Sequence, residues 1–352
     1  MSEVHTSSAA SDNKEPACPD PAVREFLIEH GLSAPQARII CMPLSGGVSC
    51  DVWRIEVDGR VFCVKRALPR LRVDSVWEAP VSRNATEWAW IEFAGRHFPE
   101  AVPKLLALDA ERGMFAMEFL DPARFPVWKQ LLLDGVVHSA VTASVATILV
   151  HLHQASAGHE DVAARFDTDR AFHALRIEPY ILEAARRNPD VSSPLNKLAE
   201  QTLTMRIALV HGDVSPKNIL VGPDGPVFLD AETAWYGDPA FDLAFCLNHL
   251  LLKCVARPNF ALTYLNCFAA FRTAYLNSVT WERSGDLERR VAHLLPALLL
   301  ARVDGKSPVE YLCERDRCFV RETACPLILS GRDSLDEIAE VWRAAVTPHA
   351  AL

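Results

Sequence analysis

The pattern of apolar and polar positions changes character about a third of the way along the chain. Pro21–Gly31 sets Val23, Phe26, Leu27 and His30 at helical spacing, which predicts a short helix with one buried face. Ser49–Val57 and Arg60–Leu68 are β-rich runs separated by Asp58-Gly59, a pair that favours the tight turn of a hairpin. Ser82–Gly95 reads as a helix and Met114–Leu120 as a buried strand. Beyond Asp121 helical spacing dominates: Val141, Val145, Ile148, Leu149 and Leu152 share one face, and the chain is helical again from Leu243. Brief β runs at Ile207–Val210, Ile219–Val221 and Val227–Leu229 lie around turns. No internal repeat is visible. The pattern predicts an α+β protein with a small β-rich N-lobe at 20–120 and a larger, mainly helical C-lobe at 121–352. A disordered tail rich in Ser, Ala and charge is expected over 1–19.

Half of the 352 residues are hydrophobic, enough to bury the core of a bilobal protein and to exclude disorder of the whole chain. Lys and Arg number 36 against 45 Asp and Glu, a formal charge of −9. The acidity is spread evenly, with 13 basic and 18 acidic residues up to Asp121 and 23 and 27 after it. This balance disfavours a nucleic-acid partner and nominates no polycationic one. The start of the chain has no basic segment followed by an apolar run, and the most apolar stretch, Val291–Val303, is interrupted by His293 and Pro296. No membrane partner and a cytoplasmic location are therefore expected. The ten cysteines are scattered singly, with no CxxC pair and no zinc-like spacing, so they read as buried free thiols.

The densest chemistry lies in His211-Gly212-Asp213-Val214-Ser215-Pro216-Lys217-Asn218 and the following Phe228-Leu229-Asp230-Ala231-Glu232. An acid, an amide five residues later and a second acid twelve beyond that sit on turns between short strands. Asp and Asn favour turns in any protein, and either acid alone would be read so. Together they match what phosphoryl transfer from a nucleotide needs. In such a set one carboxylate orients the attacking hydroxyl and accepts its proton, while an amide oxygen and the other carboxylate hold Mg²⁺ on the phosphates.

These residues, with Gly237-Asp238-Pro239-Ala240-Phe241-Asp242-Leu243-Ala244 after them, resemble the aminoglycoside phosphotransferase and choline kinase-like superfamily. The resemblance runs from about residue 40 to about 310. It implies a protein-kinase-like fold, ATP as co-substrate with Mg²⁺, and a small-molecule hydroxyl as acceptor. Ser45-Gly46-Gly47-Val48-Ser49, ahead of the first β run, looks like the nucleotide-positioning loop. Its glycines admit phosphate to the backbone N–H groups, and Ser49 adds a hydroxyl. Lys65 is implied to reach the α- and β-phosphates, with Arg66 pointing the other way into solvent. Glu87 matches the helix glutamate that fixes this lysine, with Glu78 and Glu92 as competitors. Met117-Glu118-Phe119-Leu120 resembles the interlobe hinge, where the backbone bonds adenine and apolar side chains such as Met117 and Phe119 sandwich it. His211 is implied to brace the catalytic loop, and Asp238 and Asp242 to tie it to the next helix. His151 and His153 read as satisfied core histidines.

The chain also departs from protein kinases. Ser215 stands where they carry a lysine, Ala231-Glu232 follows the metal aspartate in place of Phe-Gly, and only seven residues separate Asp230 from Asp238. No room is left for an activation segment, so a sugar, amino alcohol, hydroxy amino acid or aminoglycoside is expected as acceptor rather than a protein. Its pocket should come from the inserts at about 155–196 and 259–311. Trp235 and Tyr236, just after the metal loop, offer an aromatic cage but read first as a core pair, and Asp304 offers a pocket carboxylate but reads first as part of a helix-terminating turn with Gly305. Lys217 and Glu232 remain candidates for the site. An inactive nucleotide-binding pseudokinase and a protein kinase are the competing classes.

Overall fold

In the computed structural model, residues 20–44, 49–69 and 80–350 are described. The N-lobe is built on an antiparallel sheet of β1 (Ile40–Pro43), β2 (Cys50–Val57), β3 (Arg60–Ala67), β4 (Leu105–Asp109) and β5 (Met114–Glu118), in the order β1-β2-β3-β5-β4. Asp58 and Gly59 turn β2 into β3 with φ of 49° and 74°, as the hairpin signal requires. The two faces of the sheet are covered differently. On one, α1 (Pro21–Glu29) packs Val23, Phe26 and Leu27 onto Ile55, Phe62, Val64 and Met114. On the other, Cys63, Phe115 and Met117 join Trp90, Ile91 and Ala94 of α2 (Arg83–His97). Because both faces are covered, β3 is buried over Phe62–Lys65 rather than in strict alternation.

Two expectations are corrected here. His30 is exposed and lies beyond the end of α1, its ring 4.8 Å from that of Phe26, so it does not belong to the buried face. Arg66 is not simply solvated: it pairs with Asp20 at 2.6 Å and Asp51 at 3.0 Å and lies over the Trp53 ring. The helix α2 has little apolar periodicity because its buried stripe includes Arg83, Asn84 and Glu87 beside Trp90, Ile91 and Ala94. The expectation for residues 1–19 lies outside the described residues.

The C-lobe is mainly helical. Its first half holds α3 (Trp128–Leu133), α4 (Ser139–Ser156), α5 (Glu160–Arg165), α6 (Asp169–Phe172), a π-helical stretch at His173–Leu182, α7 (Glu183–Arg187) and α8 (Pro189–Thr204). Two small ribbons follow, β7 (Ile219–Gly222) with β8 (Gly225–Phe228), and β6 (Ala208–Val210) with β9 (Trp235–Gly237). Then come α9 (Ala240–Ala256), α10 (Ala261–Leu276), α11 (Ser284–Asp304), α12 (Glu314–Ser330) and α13 (Leu335–Ala350). The helix α9 is buried along nearly its whole length by α10, α11 and α13, which makes it the axis of the lobe. No helix among the described residues is long and apolar enough to cross a membrane. Of the described cysteines six are buried, Cys325 is half-buried, and Cys313 and Cys318 are exposed, so burial does not extend to all the thiols.

Trp90 joins the lobes. Only 2% exposed, its ring lies 4.7 Å from that of His211 in an edge-on contact and 6.1 Å from that of Phe228. Replacing Trp90 by Ala opens a cavity at this junction and should cost about 3–5 kcal/mol of stability, read as a lowered urea midpoint. An unchanged midpoint would show that the lobes do not depend on this wedge.

Candidate active site

The segment His211–Asn218 connects β6 to β7 and takes its shape from one carboxylate. Asp242, in the first turn of α9 and fully buried, accepts the His211 N–H at Oδ2 (2.7 Å) and the Gly212 N–H at Oδ1 (2.8 Å). The same Oδ2 lies 3.2 Å from His153 Nε2, and His153 Nδ1 meets the Tyr275 hydroxyl. His153 is thus the satisfied core histidine expected, whereas His151 is exposed. Gly212 has φ of +79°, and a Cβ there would lie 2.6 Å from the Thr233 carbonyl oxygen, so the loop passes only with glycine. His211 accepts the Asp213 N–H at Nδ1 (3.1 Å) and lies 3.2 Å from the Leu229 carbonyl through Nε2. These contacts require the neutral tautomer protonated at Nε2, and burial lowers the pKa to match. The histidine braces the loop against the strand that leads to Asp230.

Asp213 is almost fully buried, and its two oxygens differ. Oδ2 is paired with Arg176 Nη2 at 2.9 Å and Lys217 Nζ at 3.1 Å, while Oδ1 has no hydrogen-bond partner. Burial pushes this carboxyl up, but the Lys217 and Arg176 cations more than offset it and hold it below the usual carboxylate range. Arg176 comes from the π-helical stretch and also donates to the Gly212 carbonyl at 2.5 Å. The Asn218 side chain donates to the Asp213 carbonyl at 3.1 Å, which turns its amide oxygen away from that bond. Asp230 follows β8 with φ of +66°, a left-handed conformation that costs a non-glycine residue energy and is seen where the surroundings enforce it.

A buried ammonium joins the lobes. Lys65 Nζ of β3 lies 2.6 Å from Glu87 Oε2 on α2 and 2.5 Å from Asp230 Oδ1. Glu87 also accepts the Asp230 N–H at Oε1 (3.1 Å), which helps to hold the left-handed backbone. Burial alone would discharge Lys65, but Asp230 and Glu87 keep its pKa well above the usual value. Two carboxylates share one ammonium, so they separate: Asp230 is held low, while burial raises Glu87 to about 7 against the pull of Lys65. Behind them Arg83 pairs with Glu232 at 2.9 Å and donates to the carbonyls of Ser49, Leu68 and Pro80.

The structure therefore brings Lys65, Glu87, Asp213, Asn218 and Asp230 to one cleft. Ser49 lies at its edge, buried, with its carbonyl held by Arg83; Ser45, Gly46 and Gly47, like Glu78, lie outside the described residues. Met117 is buried in β5 between Cys63 and Leu105, and Phe119 is half-buried under the Arg54 guanidinium. Glu92 does not compete for Lys65, because it pairs with Arg165 and Arg96 on the surface. Asp238 is held by Arg290, and Asp304 by Arg321 and Asn188, so neither is presented to a ligand by these contacts. The aromatic cage is not formed: Trp235 is buried, stacked on Phe172 at 4.2 Å, and Tyr236 is bonded to the Ser156 carbonyl.

Among the described residues, no group of three or more His, Cys, Asp or Glu side chains is placed to hold a metal ion. One carboxylate and one amide, Asp230 and Asn218, are nonetheless a fitting set for Mg²⁺, which takes most of its ligands from phosphate and water. Sequence reasoning missed Arg176 and Arg83. Arg176 reaches Gly212 and Asp213 across more than thirty residues of chain, and Arg83 reaches Glu232 from the other lobe, so nothing local marks either.

The chain matches the phosphotransferase enzyme family over residues 40–276. Among curated proteins, the methylthioribose kinases of Bacillus cereus and Bacillus mycoides are each 21% identical over 262 residues, 66% of this chain and 65% and 66% of theirs. The chain thus spans just under two thirds of the length of the curated relatives it matches. Among solved structures, the ethanolamine kinase of Plasmodium vivax superposes with a TM-score of 0.56 at 12% identity, covering 88% of this chain and 90% of that one. Amicoumacin kinase, solved with AMP-PNP, Ca²⁺ and Ami, gives a TM-score of 0.56 at 13% identity and covers 89% and 96%. Both show the same two-lobed kinase-like fold.

Replacing Asp242 by Asn puts an NH₂ group where one of two buried N–H groups now finds its acceptor. A loss of about 2–3 kcal/mol in stability is expected, measured by urea unfolding. A midpoint equal to that of the unsubstituted chain would show that the loop is held by other contacts.

Proposed function

Because the chain belongs to the phosphotransferase enzyme family, we propose that it transfers the γ-phosphoryl group of ATP to a hydroxyl of a small molecule. The observation that carries this reading is the difference between the two oxygens of Asp213. Oδ2 is fixed by two cations, whereas buried Oδ1 has a free lone pair beside the Lys65–Asp230 cluster. A carboxylate held in this way keeps its charge and has one oxygen ready to accept a hydroxyl proton.

In the reaction, Asp213 Oδ1 accepts the hydrogen bond of the acceptor hydroxyl, aims its oxygen at the γ-phosphorus and takes the proton as the new P–O bond forms and ADP leaves. Lys65, held by Glu87, donates to the nucleotide phosphates in place of Asp230. Asp230 and the Asn218 amide oxygen would hold Mg²⁺, which when bound neutralises phosphate charge. Lys217 and Arg176 fix the Asp213 rotamer and add positive charge next to the transferring group. Ser45, Gly46, Gly47 and Ser49 would position the phosphates, and Met117 and Phe119 would flank adenine, with the lobe boundary near residue 120. Rate enhancement then comes mostly from positioning and charge, since the protein has little covalent chemistry to perform.

The pseudokinase alternative is disfavoured because a lysine, its glutamate, a base and both metal ligands are all present and converge. The protein-kinase alternative is disfavoured by the direct run from Asp230 through β9 into α9, without an intervening segment. A sugar such as the methylthioribose of the Bacillus relatives, an amino alcohol such as ethanolamine, a hydroxy amino acid and an aminoglycoside are the acceptor classes this reading admits.

Two outcomes test this. With Mg²⁺-ATP and a panel of small alcohols, Asp213→Ala should lose turnover by about a thousandfold or more while still binding nucleotide, whereas Asp230→Ala should weaken Mg²⁺-nucleotide binding as well. Turnover at the unsubstituted rate in Asp213→Ala would remove it as the base. Independently, Arg176→Met takes away a cation that lowers the Asp213 pKa. Since the ionised form is the active one, the acid limb of the kcat/KM–pH profile should move to higher pH. An unmoved limb would mean that Asp213 does not set it.

A further inference from the structure

A second feature lies on the far side of Lys217 from Asp213. A small cavity of about 30 Å³ is walled by Lys129, Lys217, His249, Lys253, Arg302 and Tyr311, together with Glu310, Val309 and Pro216. Four of the wall residues are cationic and one is acidic. That acid, Glu310, is already paired with Lys129, and Lys217 is paired with Asp213. Lys253 and Arg302 have no carboxylate partner among the described residues. Lys253 is fully buried on α9 with no hydrogen bond to its ammonium, which sits 4.3 Å from the centre of the Tyr311 ring. His249 Nε2, one turn earlier and 5% exposed, also has no partner, nor have the Tyr311 hydroxyl and Arg302 Nε.

Buried polar groups are normally paired, and an isolated buried ammonium is among the costliest exceptions. Here several unpaired groups border one cavity, and their shared preference is for an anionic acceptor of hydrogen bonds. Burial among like charges depresses the groups accordingly: Lys253 falls to about 7 and His249 lies well below its usual value. An oxyanion would reverse both effects by supplying the missing charge and lone pairs.

We propose that this cavity is the anion subsite of the acceptor pocket, and that the acceptor is a compact hydroxylated oxyanion carrying a carboxylate or phosphate group. The proposal rests on the reading of Asp213 as the base, because Lys217 spans from the cavity wall to Asp213 Oδ2 and so sets the subsite next to the attacking hydroxyl. It narrows the acceptor classes. Cationic amino alcohols and aminoglycosides meet like charge here, whereas an alcohol with an acid group is held at one end and phosphorylated at the other.

Sulfate is the probe. It is titrated at constant ionic strength, with chloride as the balancing anion, into the full chain saturated with Mg²⁺ and AMP-PNP, and heat and thermal midpoint are read. Saturable binding is expected, weaker by about tenfold or more in Lys253→Met, which loses a charge-assisted hydrogen bond, and by several-fold in Tyr311→Phe. Both variants should fold, since each removes an unpaired buried polar group, and their midpoints without sulfate confirm it. Affinity should rise as pH falls through about 7, where Lys253 gains its proton; the groups facing it are Lys129, Lys217, His249, Arg302, Glu310 and Tyr311. Any alcohol found to be phosphorylated should carry an oxyanion and show a raised KM, with kcat little changed, in Lys253→Met.

Nucleotide binding without sulfate binding, or sulfate binding indifferent to Lys253, overturns the subsite and leaves the kinase reading intact. So does turnover of a neutral or cationic alcohol with an unchanged KM in Lys253→Met. Lys253-dependent sulfate binding in a chain that fails to bind nucleotide overturns the kinase reading and, with it, the acceptor assignment.

Discussion

The geometry of the cleft depends on one buried ammonium that must be surrounded by acids from both lobes. Lys65 is 5% exposed, and taking such a group out of water costs several kcal/mol unless close, well-aligned partners replace its hydration. Glu87 and Asp230 do so, from a helix of the N-lobe and a turn of the C-lobe. The requirement fixes the face of β3 that meets α2, the rotation of α2 that turns Glu87 inward, and the left-handed backbone that delivers Asp230. A slip of one residue in β3 would send Lys65 to the α1 side of the sheet, among Phe26 and Ile55, where nothing could stabilise it.

Around this ammonium the charges close. Lys65, Arg83, Arg176 and Lys217 stand against Glu87, Asp213, Asp230 and Glu232, four of each sign, all in direct pairs. Nucleotide phosphates entering a balanced cleft have to take partners from the acids already there. Asp230 is suited to give way. It is the most exposed of these carboxylates, at 27% of its side chain, and it is held in a strained conformation. Glu87 is suited to remain, since it is buried and also bonded to the Asp230 backbone. On the proposed reading, exchange of Asp230 for phosphate on Lys65 would free the one carboxylate that a metal ion would need.

Much of this was legible in the chain because the chemistry is local. His211 through Asn218 and Asp230 lie within twenty residues, and their spacing already implied a base and a metal pair. The hairpin was readable from Asp58-Gly59, whereas Lys65 and Glu87 were singled out by the resemblance. What escaped notice acts across distance or against pattern. The helix α2 was expected, and Glu87 on it, but the buried roles of Arg83 and Asn84 interrupt the apolar stripe of Trp90, Ile91 and Ala94 and gave no pattern to read. Arg176 sits in a π-helical stretch whose widened turns alter the spacing on which helical readings rely. Trp235 and Tyr236 follow the ordinary rule for aromatic pairs: the tight β6–β9 ribbon turns both into the core, and the cage that their place beside the loop also suggested is not formed. Asp304 ends α11 at the Gly305 cap, as the plainer reading of that turn expects, and Arg321 from the next helix holds its carboxylate.

Bulk charge was the least informative quantity. A formal charge of −9, spread evenly along the chain, says nothing about a cavity whose cations come from α3, α9 and α11 and from the catalytic loop. Most of the acids are spent on the surface, where exposed pairs such as Arg289–Asp286 contribute little and leave the far field negative. Inside, screening is weak and a few unpaired cations set the local potential. The surface and the cavity therefore carry opposite signs. A compact anion gains nothing from the outer field on approach, and its recognition must rest on direct hydrogen bonds within the cavity. Selectivity of that kind is short-ranged: it discriminates by which group can replace water on Lys253, and by whether the hydroxyl then lies within reach of Asp213.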